Sequence, residues 1–271
     1  MCDTPFYKKP KGYLQELALP CGKCPKCKHR RVNSWAFRLQ QEQQVSSSSM
    51  FITLTYDNNN LVKTPNNFST LCKRDVQLFM KRLRKLSENK LRYYLAGEYG
   101  SVTYRPHYHL ILFNLEDELF INEAWQKGSV HVGKVSGDSI AYTCKYIDKQ
   151  KRIPMHQNDD RIPEFSLMSR GLGSNYLTKQ NIAWHKADPR RNYIVKEGGY
   201  KIALPRYYRE RIYDNWEKSI QRHFIALKKE EEYKKLVIKS KKLGVTPESI
   251  VASAKNARYN RFYSPSKKQR K

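Results

Sequence analysis

The sequence predicts an α+β fold built on an antiparallel sheet. Three observations predict it. Phe51–Tyr56 (FITLTY) alternates apolar and hydroxyl side chains, the two-residue period of a half-buried strand. Val76, Phe79, Met80, Leu83 and Leu86 recur at helical spacing with Lys and Arg between them, which makes an amphipathic helix with a basic wet face. Leu91–Tyr99 and Tyr108–Phe113 read as strands joined by the short connection Gly100–Pro106, a hairpin. Strands and helices that interleave through hairpin-length links favour an antiparallel α+β domain over a doubly wound parallel one.

The remaining elements follow in chain order. Residues 1–30 are irregular, rich in Lys and Pro, and hold four of the six cysteines. Asn33–Gln44 suits a helix that Ser46–Ser49 ends, and Asp57–Asn60 is turn chemistry. A short helix is expected at Glu116–Gln126 and a strand at Val130–Val135. A further helix is expected over Ser139–Lys149, with Asp138 as its N-cap. Ile153–Asn181 is polar and loop-like. Tyr193–Ala203 reads as a hairpin around Gly198 and Gly199, and a long basic helix as running from about Pro205 to Lys242. The expected division is a Cys-rich segment 1–32, a catalytic core 33–150, a partly helical extension 151–258 and a disordered basic tail 259–271.

Composition narrows the partners. The 271 residues carry 52 Lys and Arg against 25 Asp and Glu, a net charge of +27. That excess is an electrostatic footprint for a polyanion, nucleic acid being the commonest. Nineteen tyrosines fit a surface that stacks on unpaired bases, although many must be core and strand residues. No stretch approaches the roughly 20 apolar residues of a membrane span, and the N-terminus lacks the apolar run of a signal peptide. A reducing cytoplasm is therefore expected, where cysteines serve as thiols or metal ligands rather than disulfides.

Two constellations carry chemistry. In Pro106-His107-Tyr108-His109 a strand projects His107 and His109 from one face and Tyr108 from the other, so the two imidazoles can share a divalent cation. Glu98 lies nine residues before His107 and would meet it across the hairpin as a carboxylate ligand; the plain alternative is a surface residue paired with an arginine. In Tyr142-Thr143-Cys144-Lys145-Tyr146 a helix presents two phenols one turn apart, the geometry of paired nucleophiles or of ordinary core packing. A phenol with a pKa of about 10 is a weak nucleophile at neutral pH. A metal on a phosphate and an ammonium such as Lys145 or Lys149 would help it.

A third cluster is Cys21, Cys24 and Cys27, two overlapping Cys-x-x-Cys pairs, to which Cys2 can add a fourth thiolate. Tetrahedral zinc is one reading, with His29 as a substitute ligand; an iron–sulfur cluster and free thiols are the others. Cys72 and Cys144 read as small packing residues. Basic stretches, including Arg82 and Lys85 on the amphipathic helix and Arg105 in the hairpin link, are candidate phosphate contacts that read no sequence.

The two chemical constellations, in this order, resemble the HUH endonucleases. That signature is His-hydrophobic-His on a central strand followed by one or two tyrosines on a later helix. Phe51–Tyr56 is similar to that superfamily's first motif, and Tyr108 is a mild departure at the middle of the second. The two-tyrosine pattern resembles replication initiators of the microviruses. Pro20-Cys21-Gly22-Lys23-Cys24, Trp35-Ala-Phe-Arg38 and the later Leu167–Gly171 and Leu204–Tyr208 are similar to the gokushovirus-like branch. The resemblance implies an RRM-like sheet with flanking helices and a Mg²⁺ or Mn²⁺ ion on His107, His109 and Glu98. It also implies tyrosine attack on single-stranded origin DNA in the host cytoplasm, with a host helicase and polymerase as partners. A relaxase or transposase of the same chemistry fits less well, because relaxase tyrosines usually precede the histidines. A non-enzymatic basic nucleic-acid-binding protein with a structural zinc stays open.

Overall fold

A computed structural model of the chain describes residues 2–9, 16–145 and 153–263. The chain divides into two compact units, Trp35–Tyr176 and Met1–Ser34 with Leu177–Lys271, a division the sequence reading does not contain. Among the described residues no helix is long and apolar enough to cross a membrane.

The unit Trp35–Tyr176 is organised by a five-stranded sheet. Its strands are β3 (Ser49–Thr55), β4 (Arg92–Tyr99), β5 (Pro106–Phe113), β6 (Val130–Lys134) and β7 (Phe165–Met168). They lie in the order β6-β3-β5-β4-β7, with every neighbouring pair antiparallel, so β5 is the middle strand. The alternation read in β3 is the reason for its place. Met50, Ile52 and Leu54 are buried on one face while Phe51, Thr53 and Thr55 lie on the other. On the first face the sheet contributes Leu95, Tyr108, Leu110 and Leu112. Helix α2 (Lys73–Leu86) adds Val76, Phe79, Met80 and Leu83, and helix α3 (Leu119–Trp125) adds Ile121, Ala124 and Trp125. Each such side chain, fully buried, is worth roughly 1.5–3 kcal/mol relative to exposure. The apolar stripe expected on the basic helix is the stripe that α2 buries.

The opposite face of the sheet carries the histidines. Helix α1 (Pro25–Gln44) covers its β4 side, where Trp35 packs on Tyr94 at 4.8 Å and Glu42 pairs with Arg92. Helix α4 (Gly137–Lys145) covers the β5 side.

Two expectations in this unit need correction. The stretch 153–181 is not all loop: β7 extends the sheet at its β4 edge, with Ser166 opposite Ala96. Four residues behind Pro163 carry too short a pattern to read, and an edge strand tolerates a nearby proline. The N-cap of α4 is Ser136 rather than Asp138. The Ser136 hydroxyl accepts from the Ser139 amide at 3.1 Å, the Ser139 hydroxyl accepts from the Ser136 amide at 2.7 Å, and Asp138 falls in the first turn.

The other unit begins with β1 (Phe6–Lys8) paired with β2 (Leu17–Leu19), where irregular chain was expected. Helix α1 starts at Pro25, well before Asn33, because proline fits the first helical turn. Helix α5 (Lys179–Lys186), N-capped by Thr178, was also unread. The hairpin of β8 (Tyr193–Val195) and β9 (Lys201–Ala203) turns through Gly198 and Gly199 at φ +75° and +76°, as expected. The single long helix expected from Pro205 is two, α6 (Arg206–Ile212) and α7 (Asn215–Leu243). They part at Asp214, which makes a reciprocal capping box with Glu217. Helix α8 (Pro247–Tyr263) continues to Tyr263, so the segment from Tyr259 is helical where a disordered tail was expected.

Candidate active site and cysteine cluster

Register in the central hairpin assembles the first group. Glu98 lies directly opposite His107, and Ala96 opposite His109, while on the other flank Thr53 pairs with His109 and Thr55 with His107. Side chains on one face of adjacent strands meet in such pairs. Glu98 Oε1 is 2.7 Å from His107 Nε2 and 3.0 Å from His109 Nε2. Glu98 and His109 are buried and His107 is half-buried.

The outer ring nitrogens indicate what this cluster needs. His107 Nδ1 lies 3.1 Å from the Arg105 carbonyl oxygen. A carbonyl only accepts, so Nδ1 carries the proton, and a neutral ring then offers a lone pair at Nε2. That lone pair faces a carboxylate oxygen, itself an acceptor. Two acceptors at this distance repel unless a cation lies between them. His109 Nδ1 is held in turn by the Thr53 hydroxyl at 3.0 Å. Two imidazole nitrogens and a carboxylate oxygen, mutually within 4.8 Å and oriented by outer partners, fit a divalent metal ion.

Tyr142 stands over this group from α4. Its ring centroid is 5.4 Å from that of His109, edge to face. Phe51, unread as a site residue, stacks on His109 at 5.6 Å with the planes 9° apart and meets Tyr142 at 6.4 Å. Ile140, Thr143 and Cys144 turn inward on α4, which leaves Tyr142 49% exposed. Burial and, after it, the Glu98 charge push the Tyr142 phenol above its ordinary pKa. Lys145 is the last described residue of α4; Tyr146 lies outside the described residues.

Behind the histidines, Tyr108 anchors the strand. The Cys72 amide donates to its oxygen at 2.8 Å, its hydroxyl donates to the Cys72 carbonyl at 3.1 Å, and the Tyr56 hydroxyl lies at 2.9 Å. Tyr56 donates to Asp75 at 2.8 Å, and Lys127 pairs with the same carboxylate at 3.2 Å. Burial raises the pKa of both phenols far above normal. Gly97, opposite Tyr108, makes room for the ring: a Cβ there would sit 3.2 Å from Tyr108, Leu71 and Phe165.

Comparison with known proteins bears on these elements. A family model described as replication-associated protein ORF2 matches residues 49–151, the stretch from β3 through α4. Replication-associated protein VP4 of Bdellovibrio phage phiMH2K is 30% identical over 229 residues, 75% of this chain and 70% of that protein. The chain belongs to the ORF2 family of replication-associated proteins. Replication-associated protein ORF2 of Spiroplasma virus 4 is 27% identical over 256 residues, covering 86% of this chain and 79% of the relative. ORF4 of Chlamydia phage 1, also a replication-associated protein, is 24% identical over 231 residues, 73% of this chain and 55% of the relative. The expected resemblance to a microvirus replication protein is borne out. No solved structure matches the chain.

The basic residues singled out in this replication-associated protein differ in what holds them. Arg82 donates to the Ala124 and Trp125 carbonyls at 2.7 and 3.2 Å, capping α3 where Gln126 turns left-handed at φ 57°. Its guanidinium thus has a packing role. Arg105 donates to Asn58 at 2.9 Å and to the Tyr56 carbonyl at 2.6 Å, bracing the 57–60 turn. Lys85 is exposed on α2.

The four cysteines Cys2, Cys21, Cys24 and Cys27 come together, their sulfurs all within 4.8 Å of one another. His29 is apart from them, bonded to Asn33 at 3.0 Å. A hydrogen bond from Thr4 brings the Cys21 thiol down to about 6, and burial raises Cys27 to about 12. Cys144 is buried, as a packing residue should be.

Proposed function

We propose that this replication-associated protein initiates rolling-circle replication as an HUH-type endonuclease that nicks single-stranded phage origin DNA with a tyrosine. One observation carries the reading: His107 and His109 both meet one Glu98 oxygen, with the Tyr142 ring 5.4 Å from His109. A Mg²⁺ or Mn²⁺ ion held by those three side chains would supply Lewis acidity at the scissile phosphate.

The chain's own groups do the rest. Arg105 and Thr53 hold the two imidazoles so that their Nε2 atoms point at one place. Tyr142, protonated at neutral pH, is the described nucleophile; Tyr146 as its alternate and Lys145 as a nearby ammonium enter from the sequence alone. As the phenol oxygen bonds to phosphorus, the P–O3′ bond breaks and the phenolic proton is lost to solvent. The leaving 3′ oxygen takes up a proton and becomes the primer for a host polymerase. The 5′-phosphotyrosine conserves the bond energy, and a later 3′-OH attacks it, restores the phenol and rejoins the strand. Two tyrosines would let a regenerated origin be cut before the first linkage is resolved. The net charge of +27 serves phosphate binding, and the site of action is the host bacterial cytoplasm, alongside the host helicase.

The test is a denaturing gel of end-labelled single-stranded origin DNA with Mg²⁺ or Mn²⁺, comparing the wild type with Tyr142→Phe, Tyr146→Phe and the double variant. A denaturant-resistant adduct that needs the metal and vanishes in the double variant is expected. An adduct that persists there would place the nucleophile elsewhere. No adduct despite tight DNA binding would favour a non-enzymatic nucleic-acid-binding protein.

A further inference from the structure

The cysteine cluster takes no part in strand cleavage, and its geometry points to a ligand of its own. Pairing of β1 with β2 carries Cys2, just before the first strand, to Cys21, just after the second. Cys24 and Cys27 flank the start of α1. The Cys2 and Cys24 sulfurs are 3.7 Å apart, too far for a disulfide at about 2.05 Å. Four thiolates around one tetrahedral zinc, each at about 2.3 Å, stand about 3.8 Å from one another.

Hydrogen bonds reach several of the sulfurs. Cys21 Sγ accepts from the Thr4 hydroxyl at 3.3 Å and from the Lys23 and Cys24 amides at 3.3 and 3.2 Å. Cys2 Sγ accepts from the Cys21 amide at 3.3 Å, and Cys24 Sγ from the Asp3 amide at 3.4 Å. A neutral thiol is a weak acceptor, so this convergence suits thiolates. Thiolates crowded this closely need a cation among them. The donor set is all sulfur, which selects a soft, tetrahedral ion over the hard cations suited to the histidine site. A polynuclear iron–sulfur cluster would hold its four thiolates further apart than one ion does.

We infer that Cys2, Cys21, Cys24 and Cys27 bind a single structural zinc ion, and that this site anchors α8. Asp3, next to Cys2, pairs with Arg258 of α8 at 2.6 Å and with Lys26 at 3.4 Å. The Lys28 ammonium, one residue past Cys27, lies 5.3 Å from the Phe262 ring and 5.9 Å from the Tyr263 ring. The metal-held knuckle therefore carries the groups to which the last helix attaches.

The experiment is elemental analysis of the full-length, tag-free protein after dialysis against Mg²⁺ without zinc. About one zinc per chain is expected in the wild type and equally in His107→Ala/His109→Ala, which separates this site from the proposed catalytic one. Titrating the thiols of the folded wild type with a mercurial should release that zinc, and α8 amides should then lose protection from hydrogen exchange. Cys24→Ser/Cys27→Ser should lose the metal. Should that variant aggregate, Co²⁺ exchanged into the wild type gives a second reading, a thiolate charge-transfer band of a tetrahedral site. A folded wild type with no zinc and four freely reacting thiols would overturn the inference, as would iron in the site or zinc lost with the histidines.

Discussion

Thr53→Val removes one hydroxyl from the face that carries the histidines and keeps the side chain's branched shape. That hydroxyl lies 3.0 Å from His109 Nδ1, so its loss frees the ring that offers Nε2 to the metal. Outer partners of metal-bound histidines are typically worth 10–100-fold in metal affinity or activity, which is about 1.4–2.7 kcal/mol. The same range follows from leaving a largely buried ring nitrogen without that bond, about 1–3 kcal/mol. Thr55→Val is the control. It sits on the same face opposite His107, but its hydroxyl bonds the Ser129 carbonyl at 3.2 Å, and its replacement should fall within about 0.5 kcal/mol of wild type. The assay is the Mn²⁺ concentration that half-saturates covalent adduct formation, with folding checked by circular dichroism. A folded Thr53→Val protein with the wild-type half-saturation, or a Thr55→Val protein shifted as far, would refute the orienting role.

Other expectations follow from the opposite face of the sheet. Tyr108→Phe leaves the buried Cys72 amide without its acceptor and should cost about 1–3 kcal/mol in urea denaturation; an unchanged midpoint would mean the network is not coupled to stability. Tyr56 and Tyr108 have raised folded pKa values, so the unfolded chain binds fewer protons than the folded one in alkali. Their contribution is full below about pH 10 and is lost as the pH rises through the folded values, so the alkaline limb of stability should flatten in Tyr56→Phe. Gly128→Ala would drive a Cβ into the Thr55 carbonyl oxygen at φ +148°, and a loss of at least about 1–3 kcal/mol in thermal denaturation is expected; a neutral outcome would mean that turn relaxes freely.

What was legible in the sequence was local and periodic. The alternation in Phe51–Tyr56, the stripe from Val76 to Leu83 and the hairpin around Gly100–Pro106 each lie within a dozen residues, and the structure places all three as read. Glu98 could be placed because its partner is nine residues away on the same hairpin. Thr53 and Phe51 were visible as strand residues, but their contacts with His109 depend on the register of β3 against β5, which no local pattern encodes. Strand β7 escaped because four residues beside Pro163 hold less than a readable period. The break before α7 was signalled by Asp214-Asn-Trp-Glu217, a capping-box spacing submerged in a continuous basic helical pattern. The start of α1 was masked because Cys24 and Cys27 drew the reading toward chemistry rather than helix.

The three side chains that converge at the active site all sit on β4 and β5, inside the central hairpin of the sheet. Without a cation, acceptors oppose each other in the middle of that hairpin, so the metal-free protein carries electrostatic frustration where its sheet is most buried. Occupancy then feeds back on folding by mass action: an ion present at a hundredfold its dissociation constant adds about 2.7 kcal/mol. Under the proposed function, a protein made in metal-poor surroundings would be both idle and soft. The cellular pool of Mg²⁺ or Mn²⁺ would set its abundance along with its rate.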